Sequence, residues 1–266
     1  MTTQRPEKTF PLIELFGPTI QGEGSMCGKQ TFFIRLGVCD YKCTMCDSKH
    51  AVDPEQIKKN ATYLTASEIA ERLLEANKEY GTPWVTISGG NPCVHNLDKL
   101  VTLIQLGGMK VAVETQGTFL PTWLFKCNLV TISPKGPGMG ETFNESLFEQ
   151  YVDSLITPDL PYERFKRQQS GSDTFFPQTC LKIVVFDEQD FAFARHVWSY
   201  CPDASLFLSL GNKWLPEGGV HGDTHVKYLL DHYRNLAEKL YRDPVLNRAR
   251  FLPQLHALVW SNEKGR

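Results

Sequence analysis

Three cysteines dominate the chemistry this chain could do. Cys39, Cys43 and Cys46 follow one another with C-x3-C-x2-C spacing in Gly37-Val38-Cys39-Asp40-Tyr41-Lys42-Cys43-Thr44-Met45-Cys46-Asp47-Ser48. Three soft thiolates on so short a loop can converge on one metal centre. An iron–sulfur cluster or a structural zinc ordinarily takes four protein ligands, so a cube held by three leaves one iron open to a small molecule. A reactive cluster needs that open position. His50, four residues after Cys46, allows a second reading, zinc held by three Cys and one His. The other five cysteines, Cys27, Cys93, Cys127, Cys180 and Cys201, stand singly and read as small buried hydrophobes.

Arg35 is the next candidate. It interrupts the apolar run Thr31–Gly37 (TFFIRLG), where an unpaired charge is costly. Strand alternation puts Phe33 on the same face as Arg35, with Ile34 and Leu36 opposite. A ligand carboxylate gripped bidentately would satisfy the guanidinium, and so would a structural salt bridge.

The elements around these residues alternate. Strands are expected at Thr31–Gly37, Trp84–Ser88, Lys110–Glu114, Asn128–Ser133, Cys180–Phe186 and Ser205–Leu210, with a final strand-like piece at Arg250–Val259. Helices are expected at Thr65–Tyr80, where Thr65 and Glu68 suit a capping box, and at Asn96–Leu106, Leu120–Lys126, Glu188–Tyr200 and Thr224–Tyr241. A βα rhythm implies a parallel sheet with covering helices, and six or so strands are too few for a closed eight-stranded barrel. The expected fold is α/β, an incomplete TIM-type barrel of the β6/α3 kind, in one domain. Polar, glycine-rich turns end four of the strands: Ser88-Gly89-Gly90-Asn91-Pro92, Glu114-Thr115-Gln116-Gly117, Ser133-Pro134-Lys135 and Ser209-Leu210-Gly211-Asn212. Ligands bind at that end of such sheets, so the four turns suggest one shared rim. Residues 136–178 break the rhythm and read as a surface insertion carrying one amphipathic helix, with Leu147, Phe148, Tyr151, Val152, Leu155 and Ile156 as its apolar stripe.

Composition excludes several classes. In 266 residues, 28 Lys and Arg face 30 Asp and Glu, so no basic field advertises nucleic acid or an anionic membrane. No apolar run approaches a membrane span. The start, Met1-Thr2-Thr3-Gln4-Arg5-Pro6, shows no apolar signal region, so the expected compartment is the cytoplasm, where thiols stay reduced.

The cluster spacing directly after the first expected strand, with its Met45-Cys46-Asp47 step, resembles the radical S-adenosylmethionine (SAM) superfamily. Within it, nearly the whole chain apart from the insertion resembles the 7-carboxy-7-deazaguanine synthases of the Bacillus-like subtype. The resemblance begins at Glu14–Gly24 (ELFGPTIQGEG). It continues through Arg35, the cluster loop, Thr86–Pro92 (TISGGNP), Glu114–Thr118 (ETQGT) and Leu129–Lys135 (LVTISPK), and ends at Leu252-Pro253-Gln254-Leu255-His256.

This resemblance implies a [4Fe–4S] cluster on Cys39, Cys43 and Cys46, with SAM chelating the open iron and giving a 5′-deoxyadenosyl radical on one-electron reduction. It implies SAM contacts at Met45, Cys46, Asp47, Gly90, Ser133, Pro134 and Lys135. Substrate contacts are implied at Ile20, Gln21, Gly22, Arg35, Ser88, Glu114 and His256, and a Mg²⁺ ligand at Ser48. The implied reaction turns 6-carboxy-5,6,7,8-tetrahydropterin into 7-carboxy-7-deazaguanine with loss of ammonia, on the route to queuosine-type 7-deazapurines. Implied partners are the pterin, flavodoxin or ferredoxin as electron donor, and a second copy in a homodimer, with no direct nucleic acid or membrane. The chain departs from the superfamily's frequent Gly-Gly-Glu-Pro at Asn91. An activase that installs a glycyl radical on a partner protein, or a non-catalytic metal-binding module, shares the three-cysteine loop. Neither calls for the Gln21, Arg35 and His256 set.

Overall fold

A computed structural model describes residues 7–156, 177–213, 222–261, 263 and 265. Nine strands form one open sheet in the order β3-β1-β2-β4-β5-β6-β7-β8-β9. They are β1 (Thr9–Ile20), β2 (Gln30–Leu36), β3 (Thr62–Thr65), β4 (Trp84–Gly89) and β5 (Lys110–Thr115), then β6 (Leu129–Ile132), β7 (Gln178–Val185), β8 (Leu206–Leu210) and β9 (Arg250–Leu252). From β2 through β4 to β9 every pairing is parallel, while β1 pairs antiparallel with β2 and β3. This is the open, incomplete barrel expected, with β2 and β4–β8 as its six anticipated strands.

Three differences follow from local chemistry. β1 and β3 were not anticipated. β1 carries Pro11, Pro18 and Gly17, which break a strand signature, and it pairs through two register shifts. β3 is four residues long and runs straight into a helix. The span Arg250–Val259 divides: only Arg250–Leu252 pairs, and Leu255–Trp260 is helical. Pro253 lacks the N–H that would continue the ladder.

The helices are α1 (Pro54–Asn60), α2 (Ala66–Tyr80), α3 (Asp98–Leu106), α4 (Glu145–Tyr151), α5 (Glu188–Ser199), α6 (Asp223–Leu240) and α7 (Leu255–Trp260). The segment Thr122–Lys126 is a 3₁₀ helix. At α2 the capping box forms as read: the Thr65 hydroxyl accepts from the Glu68 N–H and the Glu68 carboxylate accepts from the Thr65 N–H. Gly81, at φ 61°, closes that helix in the left-handed region. α1, also unanticipated, starts on the Asp53 carboxylate, which accepts from the Gln56 N–H. In the insertion, α4 and the π-turn after it bury Phe148, Tyr151, Val152 and Leu155 in the main core, as the amphipathic spacing required. The rest of the insertion, 157–176, lies outside the described residues. Among the described residues no helix is long and apolar enough to cross a membrane.

Alternation in β2 sets the site. Ile34 and Leu36 are sealed in the core, while Phe33 and Arg35 project from the other face, half-buried. At the ends of β2 and β4 two glycines let the chains touch. A Cβ on Gly89 would lie 2.0 Å from the Leu36 carbonyl oxygen, and one on Gly90 2.1 Å from that of Val38. The Gly90 and Asn91 N–H groups donate to those same carbonyls. The Gly-Gly pair therefore clamps the start of the cysteine loop to β4.

Candidate active site

One cavity opens at the C-terminal ends of the parallel strands, and nearly all the residues singled out from the sequence line it. They include Cys39, Cys43, Met45, Cys46 and Asp47, with Gly90, Ser133 and Lys135. Ile20, Gln21, Gly22, Arg35, Ser48, Ser88, Glu114 and His256 line it as well. Pro134 is the exception: it is buried behind the wall, between lining residues Ser133 and Lys135. Of the five single cysteines, Cys93, Cys127, Cys180 and Cys201 are buried as expected, whereas Cys27 is only half-buried, off the cavity, where its thiol donates to the Gly22 carbonyl at 3.5 Å.

The cysteine loop is braced from both sides. The Thr44 N–H and hydroxyl both donate to the Met139 carbonyl, at 3.0 and 3.2 Å, and the Lys42 N–H donates to the Glu141 carboxylate at 2.8 Å. The opening of the insertion thus props the loop. From the sheet side, the Asp40 carboxylate accepts from Asn91 Nδ2 at 2.8 Å and from Gln116 Nε2 at 2.7 Å. Asn91 is almost fully buried and spends all its hydrogen-bonding capacity: Nδ2 also donates to the Thr118 hydroxyl, and Oδ1 accepts from the Cys93 N–H and the Thr115 hydroxyl.

Burial pushes the Cys43 thiol up to about 12 and the Cys46 thiol up to about 11, with further upward pressure from Glu141 and Asp47 respectively and from the neighbouring cysteines. Burial raises Cys39 as well. Empty of metal, these are protonated thiols, and loading them must release protons. Among the described residues no three or more His, Cys, Asp and Glu side chains close around a single ion. His50 faces Glu14 at 3.5 Å instead of joining the cysteines. That arrangement does not favour a compact Cys₃His zinc site. Three thiols sharing one wall fit the corners of a larger cluster, and the nearby Lys135 ammonium balances thiolate charge.

The rest of the lining is polar and ion-paired. Arg35 Nε donates to Glu14 at 2.7 Å and Nη1 to the Ser48 hydroxyl at 2.8 Å, while Ser48 donates to Asp47 at 3.0 Å. Burial alone would raise the Glu14 carboxyl, but His50 and Arg35 hold it below the usual range. Both sequence-derived alternatives for Arg35 thus meet in one residue: it has a structural partner, and it lines the cavity. Deeper in, Lys182 is 4% exposed and ion-paired to Glu23 and Glu114. Burial alone would lower the Lys182 ammonium, but the two carboxylates drive it upward. Burial would likewise raise the Glu23 carboxyl, yet Lys182 holds it down at about 2. Gln254 Nε2 also donates to Glu23, and the Leu255 N–H donates to the Gly22 carbonyl. A Cβ on Gly22 would lie 2.2 Å from His256 Nδ1, so only glycine lets that turn meet α7. The Ser88 hydroxyl, on the cavity lining, is buried with no hydrogen-bond partner.

Sequence reasoning missed Glu14, Glu23, Lys182 and Gln254 as site residues. For Lys182 the signal was the one that found Arg35, a charge inside an apolar strand, here Leu181-Lys182-Ile183-Val184.

Comparison with known proteins agrees with this geometry. Residues 33–128 match the Radical SAM superfamily. The chain is 37% identical over 257 residues to the 7-carboxy-7-deazaguanine synthase of Bacillus cereus, spanning 96% of this chain and 98% of that one. It is 36% identical over 262 residues to that of Bacillus subtilis, spanning 97% and 99%. The crystal structure of QueE from Escherichia coli shares the fold with a TM-score of 0.57 at 20% identity, over 93% of this chain and 95% of that one. With a three-cysteine loop and ion-paired residues lining one cavity, and relatives matched over nearly their whole length, the chain belongs to the 7-carboxy-7-deazaguanine synthase family of the radical SAM superfamily.

Proposed function

We propose that the protein converts 6-carboxy-5,6,7,8-tetrahydropterin to 7-carboxy-7-deazaguanine with loss of ammonia, in 7-deazapurine biosynthesis. One observation carries this reading: the three closely spaced thiols and an ion-paired set of Arg35, Lys182, Glu14, Glu23 and Glu114 share a single cavity at the strand ends. A [4Fe–4S] cluster and SAM, as the superfamily implies, supply one-electron chemistry able to take a hydrogen atom from an unactivated carbon.

The chain's own residues bind and orient. Cys39, Cys43 and Cys46 hold the cluster, and Met45, Cys46, Asp47, Gly90, Ser133 and Lys135 edge the SAM position, with Pro134 stiffening the last of these turns from behind. Arg35 has five N–H donors and spends two on Glu14 and Ser48, so three remain for the substrate carboxylate. Glu23, kept ionised by Lys182, and Glu114, which pairs with the same ammonium, accept from the amino-pyrimidinone edge of the pterin. Ile20, Gln21, Gly22, Ser88 and His256 complete that pocket. Mg²⁺ would sit at Ser48, with the Asp47 carboxylate 3.0 Å away as a second oxygen donor and Arg35 Nη1 displaced from the hydroxyl. Flavodoxin or ferredoxin as reductant, a homodimer and a cytoplasmic setting complete the proposal.

The test is anaerobic reconstitution with iron and sulfide, then product analysis with SAM, a reductant and carboxy-tetrahydropterin. Formation of 7-carboxy-7-deazaguanine and ammonia is expected. Cys39→Ala, Cys43→Ala and Cys46→Ala should each lose the visible cluster absorption and all turnover. Ser48→Ala should blunt the response to Mg²⁺ while SAM still binds. A colourless wild-type protein, or SAM cleavage with no 7-carboxy-7-deazaguanine formed, would overturn the proposal.

A further inference from the structure

Gln116 Nε2 donates to the Cys39 sulfur at 3.4 Å and to the Asp40 carboxylate at 2.7 Å. The Tyr41 backbone N–H donates to the same sulfur at 3.4 Å. Gln116 is buried, at 8% exposure, so little water competes for its amide. The orientation of that amide is fixed by chemistry. Turned over, it would aim its oxygen at a carboxylate, which only accepts, and at a sulfur that likewise only accepts once it is a cluster thiolate. Asp40 is itself fixed by Asn91, which Thr115, Thr118 and the Cys93 N–H lock in turn. A chain of hydrogen bonds running in from β4 and β5 thus ends as an N–H aimed at one cluster ligand.

A hydrogen bond to a cluster sulfur stabilises the more negative, reduced state more than the oxidised one. Asp40, a carboxylate next to Cys39 in the chain, acts in the opposite sense. We propose that Gln116 is a positioning residue for electron uptake: its N–H on the Cys39 sulfur offsets the Asp40 charge and makes the bound cluster easier to reduce. The inference rests on the cluster assignment made above. The reaction it concerns is uptake of one electron by a [4Fe–4S]²⁺ cluster to give [4Fe–4S]⁺, with dithionite as the electron source in the test.

The experiment is an anaerobic redox titration of reconstituted protein, followed by electron paramagnetic resonance and visible absorption, with iron and sulfide counted per chain. Gln116→Met keeps the side-chain length and removes the donor. Its reduction equilibrium should shift about tenfold toward the oxidised form, which is 59 mV for one electron. Thr118→Val, which loosens Asn91 without touching sulfur, should leave the potential unchanged. A Gln116→Met protein with a full cluster and the wild-type potential would overturn the inference. An equal shift in Thr118→Val would also overturn it, because loop packing would then be the cause.

A second measurement needs no variant. Wild-type protein labelled with ¹⁵N at the glutamine side chains, reduced without SAM, should show a ¹⁵N hyperfine coupling to the cluster, and absence of that coupling refutes the contact. A wild-type chain that takes up no cluster at all removes the cluster assignment, and this inference with it.

Discussion

Asn91→Glu restores the residue common in the superfamily and should damage this protein. The Asn91 amide nitrogen lies 2.8 Å from an Asp40 carboxylate oxygen. Glutamate would put a second carboxylate oxygen there in place of a donor. Two unit charges about 3 Å apart repel by roughly 5.5 kcal/mol at an effective dielectric constant near 20. That figure is a ceiling, because Asp40 is exposed and can swing into water, at the cost of its bond to Gln116. Adding the Thr118 hydroxyl left without its donor, a net destabilisation of about 2–4 kcal/mol at neutral pH is expected. The assay is urea unfolding of the metal-free chain, which needs neither cluster nor substrate. Asp40→Asn on its own should cost little, and the double variant Asp40→Asn with Asn91→Glu should recover most of the loss. The loss should also shrink near pH 5, where the crowded carboxyl pair can share a proton. An Asn91→Glu protein as stable as the parent at pH 7, or a double variant no better than the single, would refute the argument that Asp40 is what excludes glutamate.

Arg35→Lys should still bind SAM but hold carboxy-tetrahydropterin about tenfold more weakly in calorimetric titration, since losing the fork geometry costs about 1.4 kcal/mol. Arg35 and Glu14 are both about one-fifth exposed, so stability should fall by less than about 1 kcal/mol, and equal substrate affinities would reduce Arg35 to a structural partner of Glu14. Gly90→Ala sets a Cβ against the Val38 backbone, which cannot yield cheaply, so cluster content after reconstitution should fall sharply while the helical circular dichroism persists. For Glu23 the folded pKa lies below its unfolded value, so its stabilisation is present above the unfolded pKa and is lost as pH falls from about 5 toward 2. Lys182→Met leaves that carboxylate buried and unpaired, so its pKa should rise and the variant should gain stability on acidification through pH 7 to 4, opposite in sign to the parent. Parallel stability curves from denaturant titrations across that range would show that Lys182 does not set the ionisation of Glu23.

The sequence by itself determined the chemistry and the order of the parts. Cysteine spacing is local information: three thiols within eight residues stay together whatever the rest of the chain does. Alternation in β2 assigned Phe33 and Arg35 to one face, and the burial pattern repeats it residue for residue. The α2 capping box and the buried stripe of α4 were legible for the same reason, since each depends on neighbours three or four residues away. β1 was not legible, because its prolines and its glycine hide a strand that only pairing with β2 and β3 stabilises.

Only the tertiary structure decided which charges meet. Lys182 lies 159 residues from Glu23, and Gln254 lies 231 from it, yet both donate to Glu23 in the wall of the cavity. Gln116 and Cys39 are 77 apart. No local pattern encodes such contacts. A buried ammonium is tolerated only where the fold brings carboxylates to it, and which carboxylates those are depends on the parallel order of β5, β7 and the turn after β1. The meaning of Asn91 was likewise set by folding. In the sequence it departs from a common motif, and in the folded chain its amide pairs with Asp40, Thr115 and Thr118 together.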